Sequence, residues 1–97
     1  MSTGATRVFP IPSSSCGVPG TAQAYSLNIG VVTPGPLTYL TVWPDGQSMP
    51  VVGTLSASGA GIVSDAAIVP AGNNGAIDVF VANTTDVIID INGYFAP

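Results

Sequence analysis

The chain has 97 residues and a formal net charge of −4, from one basic and five acidic side chains. It has no His and a single Cys, so neither a Ser-His-Asp or Cys-His triad nor a His- or Cys-cluster zinc site can be built within one chain. Because Arg7 is the only basic residue, Schiff-base chemistry and a lysine-containing phosphate loop are excluded too. The chain also lacks a basic surface for phosphate groups, so we expect no nucleic-acid partner.

Signals for regular structure are sparse in the first 20 residues. Positions 6–9 predict a short opening strand, which Pro10 and Pro12 end. Positions 13–20 predict a loop, so 1–20 is expected to be a partly extended segment rich in Pro and Ser. This region lacks the apolar core of a signal peptide, and no run in the chain approaches about 18 apolar residues, so we expect no membrane insertion.

Two central strands are predicted from alternating polarity. Positions 22–32 alternate apolar with small or polar side chains, which indicates a long strand with one buried face. Positions 33–36 break this strand, and positions 37–43 alternate again before a tight turn at 44–46. The side chains expected to face the core from the first of these strands are Tyr25, Leu27, Ile29 and Val31.

The C-terminal half predicts four further strands, at positions 51–57, 66–70, 76–82 and 86–95. Positions 58–61 are too rich in Gly to be other than a loop or a bulge. Asn74 and Gly75 predict a hairpin, because both residues tolerate left-handed backbone conformations. A turn at 83–85 precedes the last strand.

Seven short strands separated by turn residues are typical of an all-β fold, and no segment shows the period of a helix. We therefore predict one antiparallel β-sandwich domain over residues 1–97, immunoglobulin-like or jelly-roll-like. A sheet normally guards its edges with charged side chains, of which this chain has few. The edges are expected to be covered either by residues 8–19 or by a neighbouring subunit through strand addition.

An aromatic cluster is the first candidate for ligand binding. Tyr39, Thr41 and Trp43 occur at every second position, so one sheet face would carry two rings about 7 Å apart beside a hydroxyl. Sugars bind such platforms through their C–H faces. The alternative is that these side chains belong to the core or to a subunit interface.

Carboxylates are the only remaining acid/base groups, and the pattern favours neither catalysis nor a strong metal site. Asp90 and Asn92 alternate on one predicted strand, and Asp78 on another could face the same way, which makes a weak calcium candidate. The alternative places them in solvent or on turn backbone. Arg7 is expected to pair with Asp86 or Asp90 if the terminal strands are neighbours. We expect no enzymatic activity and no cofactor.

Five segments together resemble a known type of domain. In order along the chain they lie at residues 16–19, 24–29, 39–44, 66–70 and 87–95. The chain resembles, over residues 7–95, a β-rich module that recurs in secreted and surface proteins of actinobacteria and acidobacteria. The resemblance implies an extracellular setting, and it carries over no activity and no set of catalytic or binding residues.

These observations predict a structural or adhesive module outside the cell or on a particle surface, forming homo-oligomers or filaments through apolar faces. The alternative is a carbohydrate-binding module. Cys16 has no partner for an internal disulfide, so it is expected to be either a small buried side chain or a reactive thiol.

Overall fold

A computed structural model describes residues 1–14, 17–50 and 53–96, which contain seven strands in two antiparallel sheets. Each strand begins and ends near Gly, Pro, Asn or Asp residues of the turns. The strands are β1 (Thr6–Pro10), β2 (Ala24–Thr33), β3 (Leu37–Pro44), β4 (Leu55–Ala57), β5 (Gly61–Pro70), β6 (Ala76–Val81) and β7 (Asp86–Phe95).

The two sheets face each other and confirm the predicted antiparallel β-sandwich. The four-stranded sheet has the order β1-β6-β3-β4, and the three-stranded sheet has the order β5-β2-β7. Of the strands that follow one another in the described chain, β3 and β4 alone are hydrogen-bonded neighbours. In the part of the chain that the structure covers, no helix has the length and apolarity needed to cross a membrane.

The core lies between the sheets and follows from the alternation of β2. Its four alternate apolar side chains have no exposed surface, as the sequence predicts. Each buried side chain of this size contributes about 1.5–3 kcal/mol relative to an exposed one. The fully buried apolar residues from both sheets are Tyr25, Leu27, Ile29, Val31, Leu37, Leu40, Ile77, Val79 and Val81.

The hairpin predicted around Asn74 and Gly75 is wrong. Both residues have left-handed backbone, with φ of 55° and 75°, but β5 and β6 belong to different sheets. The turn therefore carries the chain across the sandwich. Strand β5 is also longer than the predicted 66–70, because it pairs with β2 along the whole of that strand.

A bulge interrupts the alternation predicted for β3. Leu37 pairs with Ala57 and Leu40 with Leu55, so β3 has one residue more than β4 between these pairs. Of the strand predicted at 51–57, only Leu55–Ala57 is observed as strand, and positions 51 and 52 lie outside the described residues. Cys16 also lies outside them.

Candidate interaction surface and a carboxyl pair

The aromatic platform predicted from β3 is not presented to solvent. Trp43 is 6% exposed and Thr41 is 1% exposed. The segment after β3 turns back over them, and the indole N–H of Trp43 donates a hydrogen bond to the carbonyl of Gln47 at 3.0 Å. The ring of Trp43 is thus buried and its polar atom is bonded to the segment that follows its own strand.

Tyr39, the other ring of the predicted platform, is half-buried and lies against Phe80. Their ring centroids are 5.5 Å apart with an interplanar angle of 34°. Gly53 approaches so closely that an added Cβ would lie 2.9 Å from Tyr39 Cβ. Of the predicted ligand-binding set of Tyr39, Thr41 and Trp43, the structure buries Thr41 and Trp43 and leaves Tyr39 half-buried, so the three side chains do not form an exposed platform.

The three residues of the weak calcium candidate are not brought together. Asp78 lies on β6 of the four-stranded sheet, whereas Asp90 lies on β7 of the three-stranded sheet. Asn92 is the extra residue of a bulge, because Ser26 pairs with Gly93 and Leu27 pairs with Ile91. Within residues 1–14, 17–50 and 53–96, no three His, Cys, Asp or Glu side chains form a group that could hold a metal ion.

The predicted ion pair of Arg7 with Asp86 or Asp90 is wrong as well. Its premise was that the terminal strands are neighbours, but β1 pairs with β6 and β7 pairs with β2. The guanidinium carbon of Arg7 lies 5.3 Å from the ring centroid of Phe9 instead. This is a cation–π contact along one edge strand.

Two carboxyl groups meet at the end of β3. Asp78 stands on β6 between Val8 of β1 and Trp43 of β3, and Asp45 directly follows β3. One carboxyl oxygen of Asp78, Oδ1, is buried and has no hydrogen-bond partner among the described residues. Burial, together with a hydrogen bond and charge repulsion from Asp45, raises the pKa of Asp78 to about 6.

Asp78 therefore holds its proton more tightly than a free carboxyl group does. The sequence does not indicate that Asp78 meets Asp45, because their proximity depends on the pairing of β3 with β6. The signal available in the sequence was a lone Asp in the otherwise apolar segment Ala76–Val81, with a second Asp in the turn after Trp43.

Clefts occur at both open sides of the sandwich, and neither is lined by the carboxyl pair. The cleft between β1 and β7 has a volume of about 330 Å³ and is mainly apolar. The cleft between β4 and β5 has a volume of about 450 Å³ and is mainly polar. Residues that line the polar cleft include Thr38, Tyr39, Thr54, Ser56, Ser64 and Asp65.

The cleft between β1 and β7 bears on the prediction that residues 8–19 cover a sheet edge. Phe9, Ile11 and Ser14 of this segment form one wall, and Val87 and Ile89 of the edge strand β7 form the other. Residues 9–14 therefore lie along this edge. Positions 15 and 16 lie outside the described residues.

The outer face of the three-stranded sheet carries most of the exposed large apolar side chains of the described residues. Its edge strands carry exposed apolar side chains, Ile62 and Ile68 on β5 and Ile88 and Phe95 on β7. Ile62 is 79% exposed and Ile68 is 67% exposed. Leaving such side chains in water forgoes about 1.5–3 kcal/mol each, which a covering surface would recover.

The central strand of this face carries mostly small side chains. β2 presents small or short side chains between the two edges, and only its last outward residue, Val32, is a larger apolar one. The charged side chains on the face, Asp86 and Asp90, both lie on β7. The short outward residues of β2 are Ala24, Ser26, Asn28 and Gly30.

Comparison of the chain with protein-family models, with curated proteins and with solved structures gives no match.

Proposed function

We propose that this chain is a non-enzymatic structural or adhesive module that stands outside the cell or on the surface of a particle and associates with other copies of itself. The observation that carries the proposal is the outer face of the three-stranded sheet, with exposed isoleucines on both of its edge strands. Exposed apolar faces of this kind mark interaction sites on folded proteins.

Composition supports the same function. Charged residues make up 6% of the chain, against roughly 25% in an ordinary soluble domain. Because charge repulsion between copies is correspondingly weak, apolar contact between them meets little electrostatic opposition. The extracellular setting is supported by the resemblance of residues 7–95 to modules of secreted and surface proteins.

The mass of the particle in solution tests this function. Sedimentation velocity over a wide range of protein concentrations should show a weight-average mass that rises above the 9.6 kDa of one chain. A mass that stays at one chain up to the highest concentration reached would contradict the proposal. Loss of the association in high concentrations of urea, with recovery on dilution, should distinguish folded assembly from irreversible aggregation.

A further inference from the structure

We propose that the outer face of the three-stranded sheet binds the same face of a second copy, with the two-fold axis of the pair running along β2. This inference rests on the proposed function, for which it names the partner and the contact surface. Two observations carry it: the distribution of side-chain sizes over the face, and the position of its two carboxylates.

Large side chains alternate between the two edges of the face. The strand register defines five rows across β5, β2 and β7, each centred on one outward residue of β2. Four rows have a large apolar side chain at one edge only, while the middle row has none. Taken along the face, the rows are Ile62/Val32/Asp86, Ser64/Gly30/Ile88, Ala66/Asn28/Asp90, Ile68/Ser26/Gly93 and Pro70/Ala24/Phe95.

A two-fold axis along β2 makes this pattern complementary to itself. The rotation keeps each row at the same position along β2 but exchanges the two edges of the sheet. Strand β5 of one copy therefore lies opposite β7 of the other. Ile68 then meets Gly93, and Ile88 meets Ser64. In these two rows large side chains are placed over small ones, which is how facing sheets interdigitate at about 10 Å separation. In the two outermost rows Ile62 lies opposite Asp86 and Phe95 lies opposite Pro70.

The carboxylates distinguish this arrangement from the other face-to-face two-fold. An axis across the strands through the middle row would set β7 against β7 and Asp90 against Asp90 of the second copy. Like charges brought together in a desolvated contact cost several kcal/mol. With the axis along β2, Asp90 lies opposite Ala66 instead, and Asp86 lies at the rim, where water can reach it.

The area is sufficient for a reversible dimer. Three strands spaced about 4.8 Å apart and ten residues long cover roughly 14 by 33 Å. The pair would therefore remove roughly 1,000 Å² from water in total, close to the lower limit for a specific interface. We accordingly expect association that depends on concentration.

The first experiment removes the large side chains of β5. The double substitution Ile62→Thr and Ile68→Thr should weaken the association and raise the dissociation constant measured by sedimentation roughly tenfold or more. Ile88→Thr, on the opposite edge, should raise the dissociation constant as well. The matched control is Val8→Thr, because Val8 has the same exposed fraction as Ile88, 51%, but lies on the four-stranded sheet. Thermal unfolding of each variant checks that the fold persists.

The second experiment tests the direction of the axis. Ala66→Lys places an ammonium group opposite Asp90 of the second copy and should lower the dissociation constant several-fold. Combining it with Asp90→Asn should abolish this gain in affinity. If instead Asp90→Asn alone tightens the pair and Ala66→Lys does not, the axis along β2 is overturned.

The outcomes separate this inference from the proposed function. If the native chain associates but Ile62, Ile68 and Ile88 can be changed without effect, the chosen face is wrong and self-association stands. If the native chain stays monomeric at every concentration, both fail.

Discussion

The hydroxyl of Tyr25 donates a hydrogen bond to the backbone carbonyl of Gly75 at 2.8 Å. Tyr25 lies on β2 of the three-stranded sheet, and Gly75 ends the turn that leads into β6 of the four-stranded sheet. The bond therefore joins the two layers at one end of the sandwich. Burial raises the pKa of the Tyr25 phenol, which keeps its proton available for donation.

Removing this hydroxyl should destabilise the fold. Tyr25→Phe keeps the ring in the core but leaves the Gly75 carbonyl without its donor, which we expect to cost about 1–2 kcal/mol of unfolding free energy. Urea denaturation measures the change. Tyr94→Phe is the matched control, because Tyr94 is 46% exposed. Equal effects of the two substitutions would contradict a specific role for the Tyr25 hydroxyl.

Gly75→Ala should be more damaging. Gly75 has a φ of +75°, and an added Cβ would lie 2.5 Å from Pro12 Cγ and 2.9 Å from the Tyr25 hydroxyl. Left-handed strain and steric overlap therefore act together, and we expect a loss of more than about 2 kcal/mol in unfolding free energy.

Two control glycines separate these contributions. Gly4 has a similar φ of +73° but open space around the added Cβ, so Gly4→Ala should show the backbone strain alone, about 1 kcal/mol. Gly59 has open space and no left-handed φ, so Gly59→Ala should be close to neutral. A loss at Gly75 no greater than at Gly4 would show that the contacts with Pro12 and Tyr25 relax freely.

Stability should fall as the pH rises through about 6. The raised pKa of Asp78 means that the folded chain binds more protons than the unfolded chain between about pH 4 and 6. The stabilisation that protonated Asp78 contributes is thus complete below the pKa of this group in the unfolded chain. It is lost as the pH rises through the pKa of the group in the folded chain. Allowing for solvent screening at a half-buried site, we expect a loss of about 1 kcal/mol.

The substitution Asp78→Asn isolates this effect. It removes the ionising group, so the difference in unfolding free energy between pH 5 and pH 7.5 should shrink relative to the native chain. Asp90→Asn, at an exposed position, should keep the native pH dependence. Measurement at low protein concentration avoids a contribution from dimers. An unchanged pH dependence in Asp78→Asn would show that the pKa of Asp78 is not raised in the folded chain.

The fluorescence of Trp43 should test directly whether its side chain on β3 is buried. Trp43 is the only tryptophan of the chain and is 6% exposed, so its fluorescence should be blue-shifted and should resist quenching by acrylamide until the protein unfolds. Trp43→Phe removes the indole donor to Gln47 and should lower stability by about 1 kcal/mol. Native emission at the wavelength of a solvent-exposed indole would contradict the burial described here.

Local pattern determined most of the strands and the inward face of β2. Side chains alternate across a strand with period two, so Tyr25, Leu27, Ile29 and Val31 could be assigned to the core from the sequence alone. Gly75 could likewise be expected to adopt a left-handed conformation, because that preference belongs to the residue and its immediate neighbours.

Tertiary structure alone decided which strands pair. The residues of a turn specify how the backbone bends, but they do not specify whether the next strand joins the same sheet or the opposite one, so the hairpin expected at Asn74 and Gly75 became a crossing. The meeting of Asp45 with Asp78 and the five rows of the outer face both depend on that pairing. They arise from contacts between residues far apart in the chain, which no local preference encodes.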